Sequence, residues 1–182
     1  MRVVSGQAKG RRLRAPKGPR VRPTADHVRQ AIYDILGPAP RDARVLDLFA
    51  GSGALGIEAL SRGATEATFV EQDREACASI LGNLELTGLR SRGVIRRADA
   101  ARWLDRRKVD PFDLVLIDPP YERGLAFVGR ILAKITGKDW LAPGGTVVVE
   151  AATGQVPWPE GLRETTTRAF GRTQVSVAVR DA

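Results

Sequence analysis

Through the middle of the chain, short runs of nearly unbroken apolar residues alternate with longer stretches in which apolar positions recur every three or four residues. The runs are Val45-Leu46-Asp47-Leu48-Phe49, residues 67–70, Val94-Ile95, Leu114-Val115-Leu116-Ile117 and residues 145–150. Runs this short, with so few polar interruptions, predict strands buried on both faces of a parallel sheet. Between them, helical spacing is carried by residues 54–62, by 73–87 (closed near Gly88), by a short stretch through Trp103-Leu104, and by 125–135. Alternating strand and helix of this kind predicts an α/β domain with helices on both sides of the sheet. The two ends depart from the rhythm. Residues 1–22 are broken by Gly and Pro around Val3-Val4 and Leu13, which predicts a small β-hairpin or extended arm. Pro23-Thr24-Ala25-Asp26 reads as a helix start, followed by Val28, Ala31, Ile32, Ile35 and Leu36 at helical spacing and ended by Gly37-Pro38. At the other end, residues 162–170 and 173–179 alternate polar with apolar around Gly171-Arg172, which predicts a closing antiparallel hairpin. The expected organisation is an extension over residues 1–37 and an α/β domain over 38–182.

Composition narrows the class. A chain of 182 residues with 43% hydrophobic content suits one domain with an ordinary core. No stretch approaches the roughly 18 apolar residues that span a bilayer, and the first residues lack the apolar centre of a signal peptide. A cytoplasmic protein without membrane association is expected. The single cysteine, Cys77, excludes an intrachain disulfide and a cysteine-built metal cluster. Net charge is +8, which favours a polyanionic partner. Arginine outnumbers lysine and Ala and Gly are plentiful, a pattern that coding bias also produces, so charge placement is more informative than its total. Residues 1–30 hold nine Lys/Arg against one acid, Asp26. Lys9, Arg11, Arg12, Arg14, Arg20, Arg22 and Arg29 are therefore the candidate phosphate contacts. His27, the only histidine, lies on this basic segment and reads as a surface or nucleic-acid contact.

Two motifs carry chemistry. Asp118-Pro119-Pro120-Tyr121 stops the fourth predicted strand abruptly. Proline supplies no N–H, so the carbonyls of this corner are expected to face outward as free acceptors. With a carboxylate and an aromatic ring beside them, they suit a flat partner that donates from an exocyclic amine, as a nucleobase does. The second motif, Gly51-Ser52-Gly53-Ala54-Leu55-Gly56, follows a strand and opens a helix, and Glu71 ends the next strand about twenty residues on. This pattern binds an adenosine cofactor and by itself leaves a nicotinamide dinucleotide and S-adenosylmethionine both open. Asp47, Glu71, Asp99 and Asp118 all fall at or near the C-terminal ends of successive strands, the ligand side of an open parallel sheet. Four acids there repel a pyrophosphate and suit a cation with amine and hydroxyl donors, which favours S-adenosylmethionine. Taken singly, each acid also fits a helix cap.

The stretches RVVSGQAKGRRL, RPTADHVRQAIYDIL, VLDLFAGSGALGIEALSRGA, VEQD and LVLIDPPY occur in an order that resembles the class I S-adenosylmethionine methyltransferases. Within them, the closest likeness is to the RsmD-type bacterial 16S ribosomal RNA guanine-N2 methyltransferases. The glycine turn and the Asp-Pro-Pro-Tyr corner are shared by many amino-methyltransferases; the basic arm and the following helix point to this family. The resemblance implies a Rossmann-like, mostly parallel sheet with a C-terminal antiparallel hairpin and a small basic N-terminal extension that contacts RNA. It implies a cofactor site at Asp47, Phe49, Ala50, Gly51, Ser52, Gly53, Glu71, Asp99 and Ala100, with Glu71 on the ribose and Asp99 near adenine. It implies a catalytic corner of Asp118, Pro119, Pro120 and Tyr121, with Asp118 and the Pro119 carbonyl accepting from the target amine and Tyr121 stacking on the base. It further implies methyl transfer that leaves S-adenosylhomocysteine, no metal, a substrate in the small ribosomal subunit and a monomeric enzyme. Three alternatives stay open: an adenine-N6 methyltransferase on DNA or RNA, a nicotinamide-dependent oxidoreductase on the same glycine turn, and a non-catalytic RNA-binding module.

Overall fold

The computed structural model describes residues 1–16, 26–106 and 110–182. After α1 (Asp26–Leu36), strands and helices alternate: β1 (Arg44–Leu48), α2 (Ala54–Ser61), β2 (Glu66–Glu71), α3 (Arg74–Thr87), β3 (Gly93–Arg97), α4 (Ala100–Leu104), β4 (Phe112–Ile117), α5 (Gly124–Gly137) and β5 (Leu141–Ala152). β6 (Leu162–Phe170) and β7 (Thr173–Arg180) close the chain. All lie in one seven-stranded sheet of order β3-β2-β1-β4-β5-β7-β6. β1 to β5 are parallel, and β7 enters antiparallel between β5 and β6. The expected α/β class and closing hairpin are both present. β5 is longer than expected, because a register shift between Phe112 and Leu114 on β4 lets Leu141 pair with Phe112 ahead of the Pro143-Gly144 step. The expected helix start at Pro23-Thr24-Ala25 lies outside the described residues.

Strand alternation divides the core into two layers. Val45, Phe69, Leu114, Leu116, Val148 and Val175 face α1, α2 and α3. Leu46, Leu48, Val70, Val115, Ile117 and Val149 face α4 and α5. Each such side chain removed from water contributes about 1.5–3 kcal/mol against the entropy of ordering the chain. In β1, Asp47 falls on the same side as Val45 and so points toward α2.

All eight residues of α2 are buried, as its near-uniformly apolar sequence ALGIEALS requires. Its outer side is covered by residues 1–13, which form the expected small hairpin. Val3 N–H donates to Arg11 O at 3.0 Å, Gly10 N–H to Val3 O at 2.9 Å and Leu13 N–H to Met1 O at 3.1 Å. Val3, Ala8 and Leu13 are buried in the α1–α3 layer. The hairpin is fastened by polar groups of α2. Glu58, fully buried, accepts from Val4 N–H at 2.7 Å and from Ser5 N–H at 2.9 Å. Ser61 Oγ accepts from Ala8 N–H at 3.0 Å and donates to Ser5 O at 2.5 Å. Gly6, at φ +81°, passes so close that a Cβ there would lie 1.9 Å from Ser61 O, which admits only glycine. Among the described residues, no helix is long and apolar enough to cross a membrane.

Candidate active site

The strand order reverses beside β1, which lies between β2 and β4, so a crevice opens at the C-terminal ends of these strands. β1 enters it through Phe49, whose φ of 63° is left-handed, a conformation a bulky residue adopts only when its surroundings impose it. The Phe49 ring is held edge-on against Phe127 of α5, centroids 5.8 Å apart. Gly51 and Gly53 follow, also at positive φ. A Cβ on Gly51 would meet nothing nearer than Phe49 O at 4.0 Å, so its backbone borders open space. Gly56, the third glycine of the motif, has a packing role. A Cβ there would stand 2.4 Å from the Phe69 ring and 3.0 Å from Asp47 Oδ2, so glycine lets α2 lie directly on β1 and β2.

That close approach lets the buried Asp47 carboxylate accept from Gly56 N–H at 2.8 Å. Its carboxyl is held well above the ordinary carboxylate range, chiefly by burial and further by the charges of Asp118 and Glu71, with the Gly56 N–H acting in opposition. Asp47, Glu71 and Asp118 therefore share one electrostatic neighbourhood. Glu71 ends β2 and accepts from Gly51 N–H at 2.9 Å and Asp73 N–H at 2.8 Å, tying the glycine turn to the neighbouring strand. Asp99 stands past the end of β3 and caps α4, accepting from Arg102 N–H at 2.9 Å. Ala50 and Ser52 are buried within the turn, and Ala100 opens α4. The expected cofactor residues thus lie along one sheet edge. A donor set of carboxylates with an open glycine backbone fits a cation and ribose hydroxyls, and hence S-adenosylmethionine, better than it fits a pyrophosphate.

Asp118 follows Ile117, which pairs with Leu48 of β1, so the Asp-Pro-Pro-Tyr corner is the immediate neighbour of the glycine turn. Asp118 is half-buried. No hydrogen bond to the Pro119 carbonyl is found among the described residues. The Pro120 carbonyl departs from expectation: it accepts from Arg123 N–H at 3.0 Å, because the chain turns there into the 3-10 segment Tyr121–Arg123. Among the described residues, one proline carbonyl is left without a hydrogen bond, not two. Pro119, Pro120, Tyr121, Leu125, Ala151 and Ala152 line a shallow cleft. The Tyr121 hydroxyl shares a 2.6 Å hydrogen bond with Thr173 Oγ1.

Of the basic candidates, Lys9, Arg11, Arg12 and Arg14 are exposed on the hairpin and its continuation. Arg20 and Arg22 lie outside the described residues. Arg29 is corrected: it is fully buried, donates to Arg2 O and to Asp26 Oδ1 (2.9 Å), and pairs with Glu58 at 3.7 Å. Its charge serves the hairpin–helix junction and is shielded from any phosphate. Sequence reasoning also passed over Glu58, Ser61, Asn83 and Thr173. Asn83, fully buried on α3, accepts from Arg14 N–H at 2.8 Å and donates to Arg14 O and Ser52 O, both at 2.9 Å, joining the arm to the glycine turn. The available signal was a polar residue inside an apolar helix face. Among the described residues, no group of three or more His, Cys, Asp or Glu is placed to hold a metal ion.

The family model described as Conserved hypothetical protein 95 matches residues 1–179. The chain is 38% identical over 151 residues to Ribosomal RNA small subunit methyltransferase D of Escherichia coli K12, spanning 83% of this chain and 74% of that protein. It is 37% identical over 182 residues to YlbH of Bacillus subtilis, with 97% of each chain covered. Its structure is similar to that of Escherichia coli yhhF, with a TM-score of 0.89 and 34% identity over 100% of this chain and 98% of the other.

Proposed function

Because the chain belongs to the family described as Conserved hypothetical protein 95, which includes the small-subunit ribosomal RNA methyltransferases D, we propose that it methylates the exocyclic N2 amine of a guanine in 16S ribosomal RNA. It is an S-adenosylmethionine-dependent methyltransferase. The observation that carries the reading is the juxtaposition, on paired strands β1 and β4, of a glycine turn set among carboxylates and an Asp-Pro-Pro-Tyr corner. Bound S-adenosylmethionine supplies a methyl group on a sulfonium and is left as S-adenosylhomocysteine. Asp47 offers its carboxylate to the cationic end of the cofactor, Glu71 to the ribose and Asp99 to the adenine, while Phe49, Ala50, Gly51, Ser52, Gly53 and Ala100 form the surrounding walls. Asp118 and the Pro119 carbonyl accept the two N–H bonds of the target amine and aim its lone pair at the methyl carbon. Their contribution is positioning and stabilisation of the developing ammonium, whose proton passes to Asp118 and then to water. Tyr121 stacks on the base, which must leave any helix to reach the corner. Residues 1–37 serve as the RNA-contacting extension of the transferase domain at 38–182, with Lys9, Arg11, Arg12, Arg14, Arg20 and Arg22 on phosphates.

Transfer of labelled methyl to purified small subunits and to naked 16S RNA, followed by nucleoside analysis, tests this. N2-methylguanosine is expected. N6-methyladenosine would refute guanine, and preference for NAD over S-adenosylhomocysteine in calorimetry would refute the cofactor. Asp118→Ala should lower transfer by about 100-fold or more, with S-adenosylhomocysteine affinity within about twofold of wild type. A fully active variant would remove Asp118 from its role.

A further inference from the structure

The hairpin at the far end of the sheet has a place at this site that the sheet topology dictates. Because β7 runs antiparallel to β5, its first residue, Thr173, pairs with Ala152 at the C-terminal end of β5, and the Gly171-Arg172 turn comes to the cofactor edge. Two side-chain contacts join the hairpin to its neighbours there. Thr173 Oγ1 meets the Tyr121 hydroxyl at 2.6 Å, and the Phe170 ring lies 6.4 Å from that of His27 at the start of α1. In sheet order, Asp118 at the end of β4 thus stands between the glycine turn of β1, to which the N-terminal hairpin is tied, and the β6–β7 turn. Arg168 and Arg172 are exposed on this hairpin, and neither forms an ion pair among the described residues. Arg123, exposed beside Tyr121, has its guanidinium over Phe127 at 4.9 Å. Exposed guanidinium groups around a flat ring and a carboxylate do not suit a cationic cofactor. They suit the phosphates of a strand whose base is seated at the ring.

We propose that the β6–β7 turn is a second RNA-binding wall, in which Arg168 and Arg172 hold phosphates of the strand bearing the target nucleotide and Thr173 positions the Tyr121 ring. The N-terminal arm then grips the RNA on one side of the Asp118 corner and the turn grips it on the other. Thr173 is paired to both β5 and β6, so its hydroxyl is a fixed anchor, while the short segment bearing Tyr121 is not part of the sheet. The proposal rests on the ribosomal RNA reading above.

Its test measures binding of transcribed 16S RNA by Arg168→Ala/Arg172→Ala across a salt series, with S-adenosylhomocysteine calorimetry in parallel. Loss of two phosphate contacts should flatten the slope of log affinity against log salt by about 1.4–1.8, with cofactor affinity unchanged. An unchanged slope overturns the proposal, as does failure of the wild-type chain to bind RNA. Wild-type protein that binds RNA without methylating it would refute the activity while the slope comparison still decides the turn. For Thr173, the Val variant should lose methyl transfer at saturating RNA with cofactor affinity intact, and the Ser variant should restore it. Full activity of Thr173→Val would remove it as a positioning residue.

Discussion

At Asp47, the proposed cofactor role would couple ionisation to ligand binding. Burial, and then the charges of Asp118 and Glu71, raise its pKa in the folded protein. The folded state therefore holds this proton more tightly than the unfolded chain. The stability from this group is full below the unfolded value of about 4 and declines as pH rises through the folded value. A cation bound in the crevice favours the carboxylate, so S-adenosylhomocysteine should bind more tightly as pH rises toward the raised pKa and should expel a proton on binding. Calorimetry in buffers of different ionisation enthalpy, over about pH 5 to 8, should detect that release; net uptake would contradict the assignment. Asp47→Asn keeps an acceptor for the Gly56 N–H and removes the buried charge. At a pH above the raised pKa its Tm should rise by about 2–4 °C, on the order of 1 kcal/mol, while cofactor affinity falls about tenfold or more.

At the scale of the element, α2 joins the turn of the proposed cofactor site to a structural role of its own. The glycine turn opens it, and its far half holds the N-terminal hairpin through Glu58 and Ser61. Glu58 also accepts from Arg62 Nε at 2.8 Å and pairs with the buried Arg29. Glu58→Ala leaves Arg29 only the half-exposed Asp26 as a counter-charge, strips Val4 N–H and Ser5 N–H of their acceptor, and should cost about 3–5 kcal/mol in urea unfolding. It should also speed tryptic cleavage within residues 1–14, which a purely local loss would not do. The helix itself was plain in the sequence: glycine turn, apolar octet and spacing all agree. The fastening function of Glu58 was not, because its partners Val4 and Ser5 lie 54 and 53 residues away and local periodicity carries no information at that range. Burial of Arg29 escaped notice for the same reason. Its neighbours in sequence are those of a solvated basic segment, and only the folded hairpin covers it. The Pro120 carbonyl was misjudged because the 3-10 segment that consumes it has no pattern longer than three residues.

For the whole molecule, the alternation of strands and helices made the class legible, and the strand-end acids do fall along one edge of the sheet. The placement of β4 against β1, and of β7 between β5 and β6, comes from packing between distant segments and was not readable. Charge is likewise a property of the whole surface. Arg11, Arg12 and Arg14 are exposed on a hairpin that is itself rigidly held. Replacing all three with Ala should weaken 16S RNA binding and lower its salt slope by about 2–3, without unfolding the protein; an unchanged slope would return these arginines to a merely solvating role. The anchoring of the hairpin also sets an order of events during synthesis. Residues 1–14 leave the ribosome ahead of their anchors, Glu58, Ser61 and Asn83, which follow 53 to 69 residues later. At about 5–20 residues per second, a strongly basic segment waits for several seconds, undocked, beside ribosomal RNA. The last contacts made on this face of the core are therefore those of a segment translated well before its anchors, and folding should finish with the arm closing over a completed α2.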